Sequence, residues 1–449
     1  MMEKKQYIDF DSFDGERFRY RQKDGKILKL LSTEPVLEPV SKISFGIDYN
    51  RVREKLDNSL ELLIINATSD CNLRCRYCVY SNNYIGEANY SDKTISEETA
   101  KKAIDHLFKH SQKIDERIIS FYGGEPLLEK AKSVVIGSVE YARRLSIIEN
   151  LPLRIAITTN GTTLTNWYNW FIENDVSLFL SLDGPEEIHD KWRGKGSFKK
   201  IIDGIEKIKR KDDDYFRRMV SFSSTFVDFS DLPDIRKFFN TNFPDNSIRL
   251  SSVRISGLLE DSPLRQVINQ NSSKSRYEIY AKEYVVIISD EKQPDKFLKA
   301  LFDQMLMVIY YRYRGNLDSP LWPTNTCVPG GKKLFVREDG RFYACEKAYG
   351  TDFEVGDVDS GVDFSKVSKL MEEYADACNH FCLECWAPRI CGSCFMSIRK
   401  GENINREVMG EICSSKLKSL ELGLKIYTTA VQRSKKGIEK YLNSLGHSK

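Results

Sequence analysis

Between about residues 61 and 255 one pattern recurs: a short apolar run, a polar turn, then a helical stretch. The apolar runs are 62–67, 117–122, 153–158, 177–182, 219–226 and 248–255, and helical patterns cover 96–110, 129–145, 164–174, 198–210 and 232–240. Strands that alternate with helices in this way need a parallel sheet covered by helices. The alternation fits a barrel-like βα array or a doubly wound sheet. In both, ligands sit at the carboxyl ends of the strands. The residues that follow each run therefore carry the functional question.

After the first run, Thr68-Ser69-Asp70 leads into Cys71, Cys75 and Cys78. The chain has eleven cysteines; the other eight lie between Cys327 and Cys413. No apolar h-region opens the sequence and no apolar run reaches the 18 residues of a membrane span, so the expectation is a cytoplasmic chain without membrane association. In a reducing cytosol, clustered cysteines read as metal ligands or redox groups, and their odd number argues against a disulfide framework. Lys and Arg total 68 against 65 Asp and Glu, a formal charge of +3. Nucleic-acid-binding domains carry a clearer basic excess, so no nucleic-acid partner is expected. Three thiolates on one loop leave one coordination position open. Zinc with an open position usually takes His and carboxylates, whereas an all-thiolate set also suits an iron–sulfur cluster with one iron free.

Cys71-x3-Cys75-x2-Cys78, with Tyr77 before the third cysteine, resembles the signature loop of the radical S-adenosylmethionine (SAM) superfamily. The resemblance implies a [4Fe–4S] cluster whose open iron chelates SAM, and reductive cleavage of SAM to a 5′-deoxyadenosyl radical that abstracts a substrate hydrogen. Further motifs follow in the family's order. Gly123-Gly124-Glu125-Pro126 is similar to the segment that meets the SAM amino group. Thr159 and Asn160, after the third run, and Ser181 and Asp183, after the fourth, resemble segments lining the ribose and methionine. Arg193 matches an arginine that pairs with the SAM carboxylate, a task suited to a planar, fixed-charge fork. Tyr77 resembles the aromatic residue beside the adenine. The resemblance covers roughly 61–255 and implies a partial (βα)6 TIM-like barrel.

Cys327 precedes Gly340-x4-Cys345, and Cys382-x2-Cys385-x5-Cys391-x2-Cys394 precedes Cys413. A zinc ribbon on the central four would orphan the other three. The pattern is similar to the SPASM domain of peptide-modifying radical SAM enzymes, which holds two auxiliary [4Fe–4S] clusters, three clusters in all. Carried over, Cys327, Cys345 and Cys394 ligate the first auxiliary cluster, and Cys382, Cys385, Cys391 and Cys413 the second. The central run is one residue short of the family spacing. The first auxiliary cluster lacks a fourth ligand, which Cys378 or a substrate thiolate would supply. Residue composition divides the chain into an N-terminal hairpin segment (1–60), a barrel (61–318), a Cys-rich unit (319–415) and a C-terminal helix (416–449).

The layout resembles thioether-forming peptide maturases of the ranthipeptide and sactipeptide type. This implies a Cys-containing ribosomal precursor peptide as substrate, auxiliary clusters that accept an electron or bind the substrate thiolate, and an external one-electron donor such as flavodoxin or ferredoxin. Related members form C–C cross-links or oxidise a sulfatase residue to formylglycine. In the sulfatase enzymes an acidic residue after the Gly-x4-Cys cysteine acts as base, and Glu346 occupies that position. Residues 1–60, read as short strands and turns, are a candidate contact for a leader peptide. A non-catalytic zinc scaffold or an electron-transfer protein are the rival classes; neither explains the SAM motifs. His106 and His110, one helical turn apart, read as surface helix residues.

Overall fold

The computed structural model describes residues 5–30, 43–81, 83–84, 89–253, 258–259, 261–270, 274–315, 320–348 and 350–445. The end of the sixth apolar run, 254–255, and the expected boundary at 318/319 lie outside them.

At the N-terminus, β1 (Tyr7–Asp11), β2 (Arg17–Arg21) and β3 (Ile27–Lys29) form an antiparallel sheet. Its turns fall at Asp14-Gly15 and Asp24-Gly25, where the glycines take the positive φ that such hairpins demand. The segment also contains a helix, Tyr49–Asn58, absent from the sequence expectation. Only Val52 of this helix is buried, so it has no apolar stripe to betray it. The Asp48 carboxylate caps it by accepting from the Asn50 and Arg51 amides.

The six expected strands are present: β4 (Leu62–Ile65), β5 (Arg117–Phe121), β6 (Leu153–Thr159), β7 (Ser177–Ser181), β8 (Val220–Phe226) and β9 (Ser247–Ser252). Each pairs in parallel with the next in sequence. A doubly wound sheet reverses its strand order at a switch point. This order never reverses, so the barrel-like alternative is the one that forms. Helices Glu97–Lys109, Lys132–Glu149, Ser197–Lys211 and Leu232–Asn242 fill the crossovers.

The sheet does not stop at the composition change near residue 320. β10 (Lys333–Val336) adds in parallel to the free side of β4, with Leu334 opposite Leu63. β11 (Arg341–Tyr343), β12 (Glu354–Asp357) and β13 (Gly361–Val362) continue it antiparallel. Leu334, Phe335 and Val336 are at most 1% exposed. The Cys-rich region, too weakly periodic to build a core by itself, thus shares the core of the barrel.

The N-terminal sheet packs on that region. Phe10, Phe18 and Tyr20 join Trp386, Ala387, Ile390, Leu420 and Leu424 in a second, smaller core. A helix, Phe364–Phe381, leads into the central cysteine run, and the C-terminal helix expected at 416–449 spans Val408–Ser444, beginning before Cys413. No helix among the described residues is long and apolar enough to cross a membrane.

Candidate functional site

β4 delivers the chain to the first cysteine loop. Residues 91–95 run back along 67–69, with the Ile95 amide on the Ala67 carbonyl and the Ser69 amide on the Lys93 carbonyl. This stitching fixes the entry to Cys71. At the far end the Arg76 amide donates to the Trp192 carbonyl at 2.8 Å. Burial pushes the Cys71 thiol up to about 12, and the negative charges of Glu125, Cys75 and Cys78 add to it. Burial likewise takes Cys75 to about 11, despite the opposing Arg193. Buried thiols such as Cys71 and Cys75 are held as thiolates only when a cation compensates them. Soft donors gathered on one loop suit an iron–sulfur cluster.

The glycine turn after β5 lies flat against this loop. A Cβ on Gly124 would stand 2.0 Å from the Asp70 carbonyl oxygen, and one on Gly123 would stand 1.9 Å from Asn66 Oδ1. The Gly124 and Glu125 amides donate to the Thr68 and Asp70 carbonyls. Glu125 is 1% exposed; its carboxylate accepts from Thr159 Oγ1 (2.6 Å) and the amides of Asn160 (2.7 Å) and Leu127 (3.0 Å). Burial pushes it up to about 7 in spite of these donors. Glu125 therefore braces the turn after β5 against the end of β6, across the buried Pro126. Asn160 completes the junction, its Nδ2 donating to Asn72 Oδ1 at 2.8 Å and lying 3.7 Å from Cys71 Sγ.

Past β7, Asp183 is wholly buried and gathers the next motif. Arg193 grips it bidentately at 2.8 and 2.9 Å, and the Tyr77 hydroxyl and the Thr225 amide donate to the same carboxylate. The guanidinium lies 5.4 Å from the Tyr77 ring centroid and beside Cys75. Ser181, half-buried, pairs with Ser223 at the end of β7. Tyr77, Asp183, Arg193 and Cys75 thus form one unit, joining positions far apart in sequence.

The C-terminal cysteines fall into two neighbourhoods. Cys327 and Cys345, raised by burial to about 11 and about 12, both feel Cys394 and Glu346. Cys385 and Cys413, raised by burial to about 12, both feel Cys382 and Cys391. Cys378, completely buried on the Phe364–Phe381 helix, lies one turn before Cys382, whose amide donates to its carbonyl at 2.8 Å. The Tyr374 phenol feels Cys378 together with Cys391 and Cys394, one cysteine from each group. Among the described residues no three His, Cys, Asp or Glu side chains converge on a single-ion site. Glu346 is paired with Lys333 at 3.2 Å.

Sequence reasoning did not single out Tyr122, whose phenol feels both Cys78 and Glu346 and so lies between the first loop and the second set. It also missed Glu338, just past β10, which accepts from Asn66 Nδ2 at 3.1 Å under the first loop. Nothing in the local pattern marks either residue. His106 and His110 are half-buried, not open to solvent, with His106 5.0 Å from the Phe342 ring.

Residues 65–223 match the model of the Radical SAM superfamily. Over 361 residues, 75% of this chain, the sequence is 28% identical to a cysteine-type anaerobic sulfatase-maturating enzyme of Clostridium novyi (strain NT), covering 88% of it. It is 34% identical to a serine-type anaerobic sulfatase-maturating enzyme of Bacteroides thetaiotaomicron over 148 residues, 31% of this chain and 34% of that enzyme. The fold is similar to that of native anSMEcpe with bound AdoMet and Cp18Cys peptide, with TM-score 0.58 and 19% identity over 86% of this chain and 99% of that one.

Proposed function

From the premise that this chain carries a radical SAM domain within a fold of the SPASM type, we propose that it is a peptide maturase. It would abstract a hydrogen from a Cys-containing ribosomal peptide and close an intramolecular thioether. Cys71, Cys75 and Cys78 would hold the cluster that binds SAM, with Arg193, Asp183 and Tyr77 on one flank and the Gly123–Pro126 turn on the other. Cys327, Cys345 and Cys394 would hold one auxiliary cluster, and Cys382, Cys385, Cys391 and Cys413 the other. When bound, these groups supply the abstracting radical and take up the electron that bond formation releases.

The observation that carries the thioether reading is the placement of Cys378. One helical turn from Cys382, it would leave Cys327, Cys345 and Cys394 as a three-thiol set. A fourth ligand then comes from outside the chain, and a substrate thiolate has the matching chemistry. Glu346, paired with Lys333, would take a proton there. The N-terminal sheet would contact the leader of the peptide; a deletion of residues 1–55 that left peptide affinity unchanged would end that part.

A second reading, oxidation of a sulfatase cysteine to formylglycine, draws support from the 28% identical relative and from the position of Glu346 after Cys345. Anaerobic co-expression with small peptides encoded beside the gene, followed by mass measurement with and without alkylation, separates the two. Loss of two hydrogens together with an alkylatable thiol supports the thioether. The same loss with every thiol retained points to a C–C cross-link. No change in any peptide, with replacement of sulfur by oxygen and loss of two hydrogens in a sulfatase cysteine, supports the second reading.

A further inference from the structure

We propose that Arg249 is a substrate-binding residue whose guanidinium takes a carboxylate of the peptide inside the barrel. The inference rests on the reading of this chain as a peptide maturase and names a group its substrate carries. It begins from the two faces of the sheet. On one face Leu178, Leu180, Val220 and Phe222 are at most 1% exposed and belong to the apolar core. On the other, Phe179 and Ser181 of β7 and Ser221 and Ser223 of β8 are only half-buried. Phe179 stands opposite Ser221, Ser181 opposite Ser223, and Ser223 opposite Arg249 of β9. Residues opposite one another in a sheet point to the same side. Arg249 therefore belongs to the open face, while its neighbours Ile248 and Leu250 pack against the core.

Its side chain folds inward along that face. The guanidinium lies 5.4 Å from the Phe179 ring centroid, although β7 and β9 are two strand spacings, roughly 10 Å, apart. It reaches the ring across β8, where Ser221 and Ser223 are small enough to leave the space free. Arg249 is still exposed, and among the described residues no carboxylate pairs with it. By contrast Arg154 of β6, Lys333 of β10 and Arg193 are paired with Glu116, Glu346 and Asp183. One pleat further along β9, Ser251 stands opposite Thr225, whose amide donates to Asp183 at 2.9 Å. The unpaired guanidinium is thus one pleat below the unit of Tyr77, Asp183 and Arg193. A guanidinium over an aromatic ring keeps its edge for two parallel N–H bonds, the geometry that a carboxylate accepts. A peptide offers that group from an Asp or Glu side chain or from its C-terminus.

The test uses full-length protein reconstituted anaerobically with iron, sulfide and SAM, and the Cys-containing peptide or sulfatase segment that co-expression shows to be modified. Turnover is compared as kcat/KM for this peptide, for its C-terminal amide, and for versions with each Asp or Glu changed to Asn or Gln. Arg249→Gln should lower kcat/KM for the parent peptide about tenfold or more, with Arg249→Lys in between. One neutralised peptide should lose as much with the wild type and nothing further with Arg249→Gln. That peptide identifies the source: the amide marks the C-terminus, an Asn or Gln version marks a side chain. Affinity for the labelled parent peptide, read by fluorescence anisotropy without reductant, should fall in parallel. Equal kcat/KM for Arg249→Gln and the wild type overturns the proposal. So do losses that add for every neutralised peptide, or a fall in SAM affinity with peptide affinity unmoved. A wild-type protein that cleaves SAM and modifies no peptide or sulfatase segment overturns the maturase reading, and the proposal with it.

Discussion

Arg193 and Asp183 show how single residues decide this site. Both are buried and joined by two parallel hydrogen bonds, a geometry only a guanidinium provides. Arg193→Ala should cost about 3–5 kcal/mol in denaturant unfolding, because it strands a buried carboxylate. Arg193→Lys should cost less but weaken SAM binding in a calorimetric titration, since an ammonium cannot grip two oxygens and present a further planar edge. His189 sets a pH dependence. It is fully buried; its Nδ1 accepts from the Asp183 amide and its Nε2 meets no partner. Burial, aided by Arg193, lowers its pKa to about 4. The unfolded chain therefore takes a proton near pH 6.5 that the folded chain refuses. Its contribution is complete above that pH and falls away toward pH 4, by up to ~3 kcal/mol. Urea midpoints at pH 7 and pH 5 should converge in His189→Gln and diverge in the wild type.

At the scale of elements, the turn after β5 and the Phe364–Phe381 helix matter most. The glycine turn is pressed against the cysteine loop so closely that no side chain fits at either glycine. Gly124→Ala must push Asp70 away, and SAM affinity measured by calorimetry should drop tenfold or more, about 1.4 kcal/mol at least. The helix carries Cys378 to within one turn of Cys382, whose amide donates to its carbonyl. Cys378→Ser should therefore keep the full iron content of the reconstituted protein. Cys391→Ser should lose a cluster's share. Iron and sulfide assays distinguish these outcomes directly.

Across the whole molecule, the N- and C-terminal ends form one body around the cysteine loops. Tyr20, fully buried, meets Trp386 edge-on at 6.0 Å. Gln22 Nε2 donates to the Cys385 carbonyl at 2.8 Å, and the Arg389 guanidinium binds the carbonyls of Gln22, Lys23 and Gly315. Tyr20→Ala should cost about 3–5 kcal/mol. Hydrogen exchange should then rise in residues 17–25 and 383–391 together, because neither segment keeps its packing without the other.

Much of the barrel and of its site was readable from the chain because both depend on local regularities. A strand followed by a turn and a helix leaves a periodic trace, and the residues at a strand's end are its neighbours in sequence. That is why Cys71, Gly124, Glu125, Asn160 and Asp183 could be placed near strand ends before any coordinates, whereas their proposed roles came from the resemblance of their motifs to a known family. What joins them leaves no such trace. The Glu338 contact beneath Asn66 and the Tyr122 position between Cys78 and Glu346 depend on segments meeting through the fold. So does β10, whose apolar run is too short to announce a sheet and is buried only because β4 offers it an edge. Sequence alone determined which residues stand at the ends of the strands, because periodicity is written residue by residue. Only the tertiary structure decided which of them share an environment, because burial and pairing between distant segments are properties of the packed chain.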